Sequence, residues 1–172
     1  MAARAWELYF LRHGDAGDAG QWRGDDAQRP LSAKGVGQVE RLAAFLAGIG
    51  FAPAVIVSSS KLRATQTAER VAAAATRPVT VDDRLAGGFS VEAPATLLDE
   101  TEPPDGAAGV LLVGHDPDFS SVVSALSGAK AIRLSTCTLA RVDVDDRPAP
   151  GRGALRWLIP PDALANHRDG AR

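Results

Sequence analysis

The sequence predicts a single α/β domain built on a mainly parallel sheet. Three observations lead there. Short, largely apolar runs lie at residues 6–11, 54–57, 79–81 and 110–113, as expected of strands covered on both faces. Helical patterns of apolar residues alternate with them. The chain of 172 residues has no internal repeat and no linker-like stretch. One domain over residues 1–160 and a polar tail over 161–172 is therefore the expected organisation.

Each element has its own signal. The run at 6–11 is aromatic and aliphatic and reads as the first buried strand. Residues 15–29 are rich in Gly and Asp, lack periodicity and read as a loop, long enough to suggest a function. Ser32 is placed to cap a helix in which Val36, Val39, Leu42, Leu46 and Ile49 recur at helical spacing, and Gly48 and Gly50 sit where it should end. A strand at 54–57 leads through a polar turn at 58–61 to an Ala-rich helix at 62–75. A third strand at 79–81, a loop at 82–88 and a short helix at 91–99 follow. A Pro- and acid-rich surface loop at 100–109 precedes the fourth strand at 110–113. A helix at 119–126 with Asp118 as its cap comes next, then strands at 131–134, 138–144 and 154–159.

Composition removes several function classes. The net charge is −2 and no basic run reaches five residues, so a nucleic-acid partner is not expected. No stretch approaches the roughly 18 apolar residues of a membrane span, and the first eleven residues, interrupted by Glu7, do not resemble a signal peptide. A cytoplasmic protein without membrane contact is expected. The single cysteine, Cys137, rules out an internal disulfide and a four-cysteine zinc site, and reads as a small buried apolar residue. Composition does not give an oligomeric state.

In parallel sheets ligands bind beyond the carboxyl ends of the strands. After the first strand comes Arg12-His13-Gly14, after the second Ser58-Ser59-Ser60-Lys61-Leu62-Arg63, and after the fourth Gly114-His115-Asp116-Pro117. Two of the three histidines and two arginines therefore share one rim. Planar guanidinium forks and helix N-termini suit phosphate oxygens, so the rim reads as a pocket for a dianionic phosphoryl group. One such residue alone would be an ordinary loop or surface group; three strand ends supplying complementary groups are a pattern.

The ordered set resembles the signatures of the histidine phosphatase superfamily. Leu11-Arg12-His13-Gly14 resembles its RHG motif, residues 58–68 resemble the segment with an arginine at the head of the second helix, and Val113-Gly114-His115 resembles the third. Arg29-Pro30-Leu31-Ser32 matches the segment that opens the first helix, and the likeness spans residues 6–160. The short chain is most similar to the SixA-type phosphohistidine phosphatases. That resemblance implies a three-layer α/β/α, phosphoglycerate mutase-like fold. It also implies His13 as nucleophile, with Arg12, Arg63 and His115 as catalytic clamp and Arg12, Gly14, Arg63 and His115 binding substrate phosphate. No metal and no cofactor are implied. The partner would be a phosphorylated protein, its phosphohistidine the kind used in signal transduction, with phosphate or small phosphoesters as other ligands.

The residue types fit this chemistry. An imidazole attacks phosphorus only when neutral, and an unperturbed histidine has a pKa near 6.5. A unit charge at about 4 Å contributes about 4 kcal/mol at an effective dielectric of about 20, so Arg12 and Arg63 should hold His13 unprotonated. Many relatives place a general acid after the third strand; here Ala86 or Gly87 occupies that place. An imidazole leaving group needs less protonation than an alkoxide, which favours a P–N substrate. Asp15, Asp82, Asp83 and Glu92 are the carboxylates near enough in sequence to swing in, and Asp116 flanks His115. The competing readings are a phosphomonoesterase of a small metabolite and a phosphoryl-binding module without turnover.

Other signals are discounted. Gly35-Val36-Gly37 begins inside a helix and lacks the third glycine of a dinucleotide loop. The aspartates at 15, 18, 25 and 26 lack calcium-loop spacing and read as a solvated loop. Trp22 and Arg23 read as loop packing or pocket cover, and His167 as a solvated tail residue.

Overall fold

The computed structural model describes residues 5–101 and 109–165. Six strands form one sheet: β1 (Trp6–Arg12), β2 (Val55–Ser58), β3 (Val79–Val81), β4 (Gly109–Gly114), β5 (Leu139–Val144) and β6 (Gly153–Ile159), in the order β3-β2-β4-β1-β5-β6. The β1–β4, β2–β4 and β2–β3 pairs are parallel, whereas β5 and β6 add antiparallel pairs at the β1 edge. The helices are α1 (Ala33–Gly48), α2 (Leu62–Ala75), α3 (Ala93–Asp99) and α4 (Asp118–Ser127).

Strand alternation explains the three layers. Tyr9 and Leu11 of β1 and Leu111 and Val113 of β4 pack with Val39, Leu42 and Leu46 of α1 and Ala64, Ala68 and Val71 of α2. Leu8, Phe10, Val110 and Leu112 face the other way, onto Leu97 and Leu98 of α3 and Phe119, Val122 and Val123 of α4. Residues 8–11 of β1 and 110–113 of β4 are buried on both faces, which is why these stretches are apolar throughout. Among the described residues no helix is long and apolar enough to cross a membrane.

Two expected elements differ. Residues 131–134 are not a strand. The N–H groups of Ile132 and Leu134 donate to Ser124 Oγ and Ser120 Oγ at 2.7 and 2.9 Å, and Leu134 O accepts from Arg12. Side chains thus take the place of a ladder. Asp118 is the first residue of α4 rather than its cap, and its carboxylate accepts from the N–H of Phe89 at 3.0 Å. The chain also does not leave the domain at residue 160: Pro161–Leu164 forms a 3-10 turn whose Leu164 packs beside the α1 core. His167 lies outside the described residues.

The loop 15–29 contains two 3-10 turns, Ala19–Gln21 and Asp26–Gln28. Asp18 and Asp25 cap them by accepting from Gly20 and Ala27 N–H, so these aspartates build turns. Ser32 caps α1 as expected, accepting from Gly35 N–H. Gly35 is a packing glycine: a Cβ there would lie 1.9 Å from the Asp15 carbonyl oxygen. Gly14 on the facing side has the same reason, with Val39 Cγ2 2.9 Å from where its Cβ would be.

Candidate active site

The ends of β1, β2 and β4 lie side by side, and the expected residues converge there. His13 follows β1 directly, and its N–H donates to Gly114 O at 3.1 Å. That bond ties the ends of β1 and β4, so His13 and His115 emerge with ring centroids 5.0 Å apart. Gly114 is required because the Phe119 ring of α4 would sit 2.6 Å from a Cβ. A buried Thr67 Oγ1 in α2 accepts from Gly14 N–H at 3.1 Å and donates to Arg63 O, fixing the turn after His13 against α2. Gln38 and Gln66 accept from Asp15 and Leu31 N–H and hold the start and end of the loop.

The tautomer of His13 follows from its neighbours. Its Nδ1 lies 2.7 Å from Gly14 O, and a carbonyl can only accept, so Nδ1 carries the proton. Nε2 keeps its lone pair and receives the Nε–H of Arg63 at 3.3 Å. His115 Nε2 is 2.8 Å from Ser59 Oγ, itself held by Lys61 N–H. His115 Nδ1 and Arg12 Nε are buried and meet no hydrogen-bond partner among the described residues. Such orphaned groups cost about 1–3 kcal/mol each unless satisfied.

Burial pulls the His13 pKa down to about 4; the Gly14 bond opposes this, and the Arg63 and Arg12 charges add to it. Burial also takes His115 down to about 3, helped by His13, Arg63 and Lys61. The expectation of a neutral His13 ring holds, but desolvation is the larger cause and the arginines the smaller. The His13 ring is therefore expected to stay neutral from pH 8 to 5, with an NMR midpoint near 4; a midpoint near 6.5 would contradict its burial. The sign for stability follows. The unfolded chain binds this proton near 6.5 and the folded chain only near 4, so stability is full above pH 6.5 and falls as pH drops towards 4.

Arg63 is nearly buried and is not free. Its two terminal nitrogens donate to Asp26 O at 2.7 Å and to Asp26 Oδ2 at 2.9 Å. Arg29 holds Asp26 from the other side and also donates to Ala16 O and Gly17 O, closing the loop on itself. The Arg29 bond, then the Arg63 bond, keep the Asp26 carboxyl ionised below the usual range. Arg12 donates to Leu134 O at 2.7 Å and lies 3.8 Å from Asp116 Oδ2.

The sequence reads Asp26 as part of a solvated loop; in the structure its carboxylate and carbonyl oxygens occupy the terminal nitrogens of Arg63. No spacing rule joins residues 26 and 63, so only the loop's path reveals the contact. Asp26→Asn is expected to tighten inhibition by inorganic phosphate about two- to five-fold, as suits a half-exposed pair worth up to about 1 kcal/mol. An unchanged or weaker inhibition constant would mean that Asp26 does not compete with phosphate.

The carboxylates near enough in sequence to act as general acid are mostly engaged. Asp15 accepts from Ser32 Oγ, Asp82 pairs with Arg84 and caps the 3-10 turn Asp83–Ala86, and Glu92 accepts from Ser90 Oγ. Asp83 is exposed on that turn. Asp116 accepts both the Oγ–H and the N–H of Ser120. Among the described residues no three His, Cys, Asp or Glu side chains group to hold a metal ion. Cys137 is buried, with its thiol pKa pushed up to about 12 by desolvation. Its backbone is the useful part: at φ 60° its N–H reaches both Arg12 O and His13 O.

Paired imidazoles and arginines at the strand ends of a three-layer α/β/α domain suit a phosphoryl group, and the similarities of the chain make its class that of the phosphatases. Comparison with known proteins agrees. Residues 8–87 match the model of the histidine phosphatase superfamily (branch 1). An uncharacterised protein of Picosynechococcus sp. is 39% identical over 123 residues, 70% of this chain and 73% of that protein. The structure of the protein histidine phosphatase SixA complexed with tungstate superposes with a TM-score of 0.77 at 27% identity, covering 92% of this chain and 99% of that one. A mycobacterial glucosyl-3-phosphoglycerate phosphatase shares the fold, with a TM-score of 0.60 at 21% identity over 88% of this chain and 97% of its own. The chain belongs to the histidine phosphatase superfamily.

Proposed function

We propose that the chain is a metal-independent phosphatase that hydrolyses protein phosphohistidine through a covalent phosphohistidine on His13. The observation that carries this reading is the state of His13: Nδ1–H is spent on Gly14 O, and a neutral Nε2 faces Arg63. In the first step the Arg63 Nε–H releases the Nε2 lone pair, Nε2 attacks phosphorus, the P–N bond of the substrate breaks, and the substrate imidazole, protonated on its other ring nitrogen, leaves as neutral imidazole. In the second step water attacks phosphorus, the bond to His13 breaks, and phosphate is released.

Arg12 and Arg63 supply the positive charge that the equatorial oxygens need in both transition states. A phosphoryl group entering here displaces Asp26 from Arg63 and offers acceptors to the two arginines. His115, neutral and held by Ser59 through Nε2, adds a polar contact. The substrate assignment is supported by the engagement of Asp15, Asp82, Glu92 and Asp116 with other groups, which suits an imidazole leaving group better than an alkoxide. It is supported too by the similarity to a protein histidine phosphatase whose structure holds tungstate, an oxyanion shaped like phosphate.

The test is a comparison of substrates. Turnover of a phosphohistidine peptide is expected to exceed that of an aryl or sugar phosphate and to survive EDTA. Faster turnover of the phosphate esters would overturn the substrate assignment, and loss of activity in EDTA would overturn metal independence. Phosphate binding with no turnover of any substrate would leave a binding module.

A further inference from the structure

A groove of about 740 Å³ leads away from Arg12, between α4 and residues 129–135. Arg12 belongs to both the groove and the histidine cluster, so the groove continues the site on that side. Asp116, Ser120, Ser124, Lys130 and Arg133 also line it. Lys130 and Arg133 are exposed and form no ion pair among the described residues, although Arg29, Arg63, Arg84, Arg141, Arg147 and Arg156 all do. The groove's one acid is committed: Asp116 accepts from Ser120 and neighbours Arg12. What remains is an open, hydroxyl-lined channel with two unpaired cations on its rim.

The outer wall is fastened to the catalytic side. Ser124 and Ser120 hold the Ile132 and Leu134 N–H groups, and Arg12 donates to Leu134 O at 2.7 Å. The backbone that carries Arg133 is thus held in register with Arg12. We propose that the groove seats an acidic segment of the protein that carries the phosphohistidine, with its carboxylates on Lys130 and Arg133. This rests on the phosphohistidine reading of the site. Charge complementarity of this kind sets partner choice and encounter rate more than the chemical step.

Two phosphohistidine peptides of equal length test it, one with Glu and Asp flanking the phosphohistidine and one with Gln and Asn. Wild type is expected to prefer the acidic peptide by about ten-fold in kcat/KM, expressed mainly in KM and shrinking with salt as exposed charges are screened. K130E/R133E is expected to lose or reverse that preference, and K130Q/R133Q to show an intermediate loss. Both variants should hydrolyse free phosphohistidine at the wild-type rate, which also shows that they fold. Equal kcat/KM for the two peptides in wild type overturns the groove assignment and leaves the phosphohistidine reading standing, as does binding of anionic lipid vesicles in place of the acidic peptide. Failure of wild type to hydrolyse any phosphohistidine, while it turns over aryl phosphate, overturns the underlying reading instead.

Discussion

His13→Ala is expected to abolish turnover, with a loss of about 10^4- to 10^6-fold in kcat, the range seen when a covalent nucleophile is removed. The geometry leaves no substitute. The other imidazole in the site, His115, is held by Ser59 through Nε2 and is assigned only a polar contact to the phosphoryl group, not the attack. Cys137 is buried and its thiol is held protonated far above neutral pH. The variant should still fold, because the fold around residue 13 depends on backbone bonds: the residue 13 N–H to Gly114 O, and the Cys137 N–H to the carbonyls of residues 12 and 13. Phosphate binding should survive in the variant, since Arg12 and Arg63 remain. Wild-type activity in His13→Ala would remove the proposed mechanism.

Arg63→Ala is the second large effect, expected to cost about 10^3-fold in kcat/KM, as removal of a charge-stabilising arginine from a phosphoryl site does. Arg63 is placed to act twice. Its Nε–H donates to Nε2 of His13, and its terminal nitrogens hold the Asp26 carboxylate that a substrate oxygen replaces in the proposed mechanism. Arg63→Lys should recover only a part, because an ammonium lacks the planar fork that pairs two donors with an oxyanion. Loss of phosphate inhibition should accompany the loss of rate in Arg63→Ala, separating it from His13→Ala. Near-normal kcat/KM in Arg63→Ala would show that Arg12 alone supplies the charge.

The strand-end residues were legible because a parallel sheet gathers its carboxyl ends on one rim, whatever fills the chain between them. His13, Arg63 and His115 followed from that rule together with the motif resemblance. Asp26 did not, since a carboxylate in a Gly- and Asp-rich loop reads the same whether it faces solvent or an arginine 37 residues away. Residues 131–134 mislead for another reason. Ile132 and Leu134 alternate in sequence with Ala131 and Arg133 and do pack against the α3–α4 core. Alternation reports which side chains are buried, however, and not what the backbone N–H groups bond to; here they bond to two serines of α4. Gly35 looked like half of a nucleotide fingerprint because composition cannot show the Asp15 carbonyl pressed against it. The depressed His13 pKa was expected for its arginines and owes more to burial, a quantity that only the packed structure supplies.

The most direct measurement is to trap the enzyme during turnover of a phosphohistidine peptide and locate the phosphate by mass spectrometry and 31P NMR. The account predicts one label, on Nε2 of His13, stable in base and labile in acid. A label on any other residue, or turnover in rapid-quench experiments with no phosphoenzyme at any time, would contradict it.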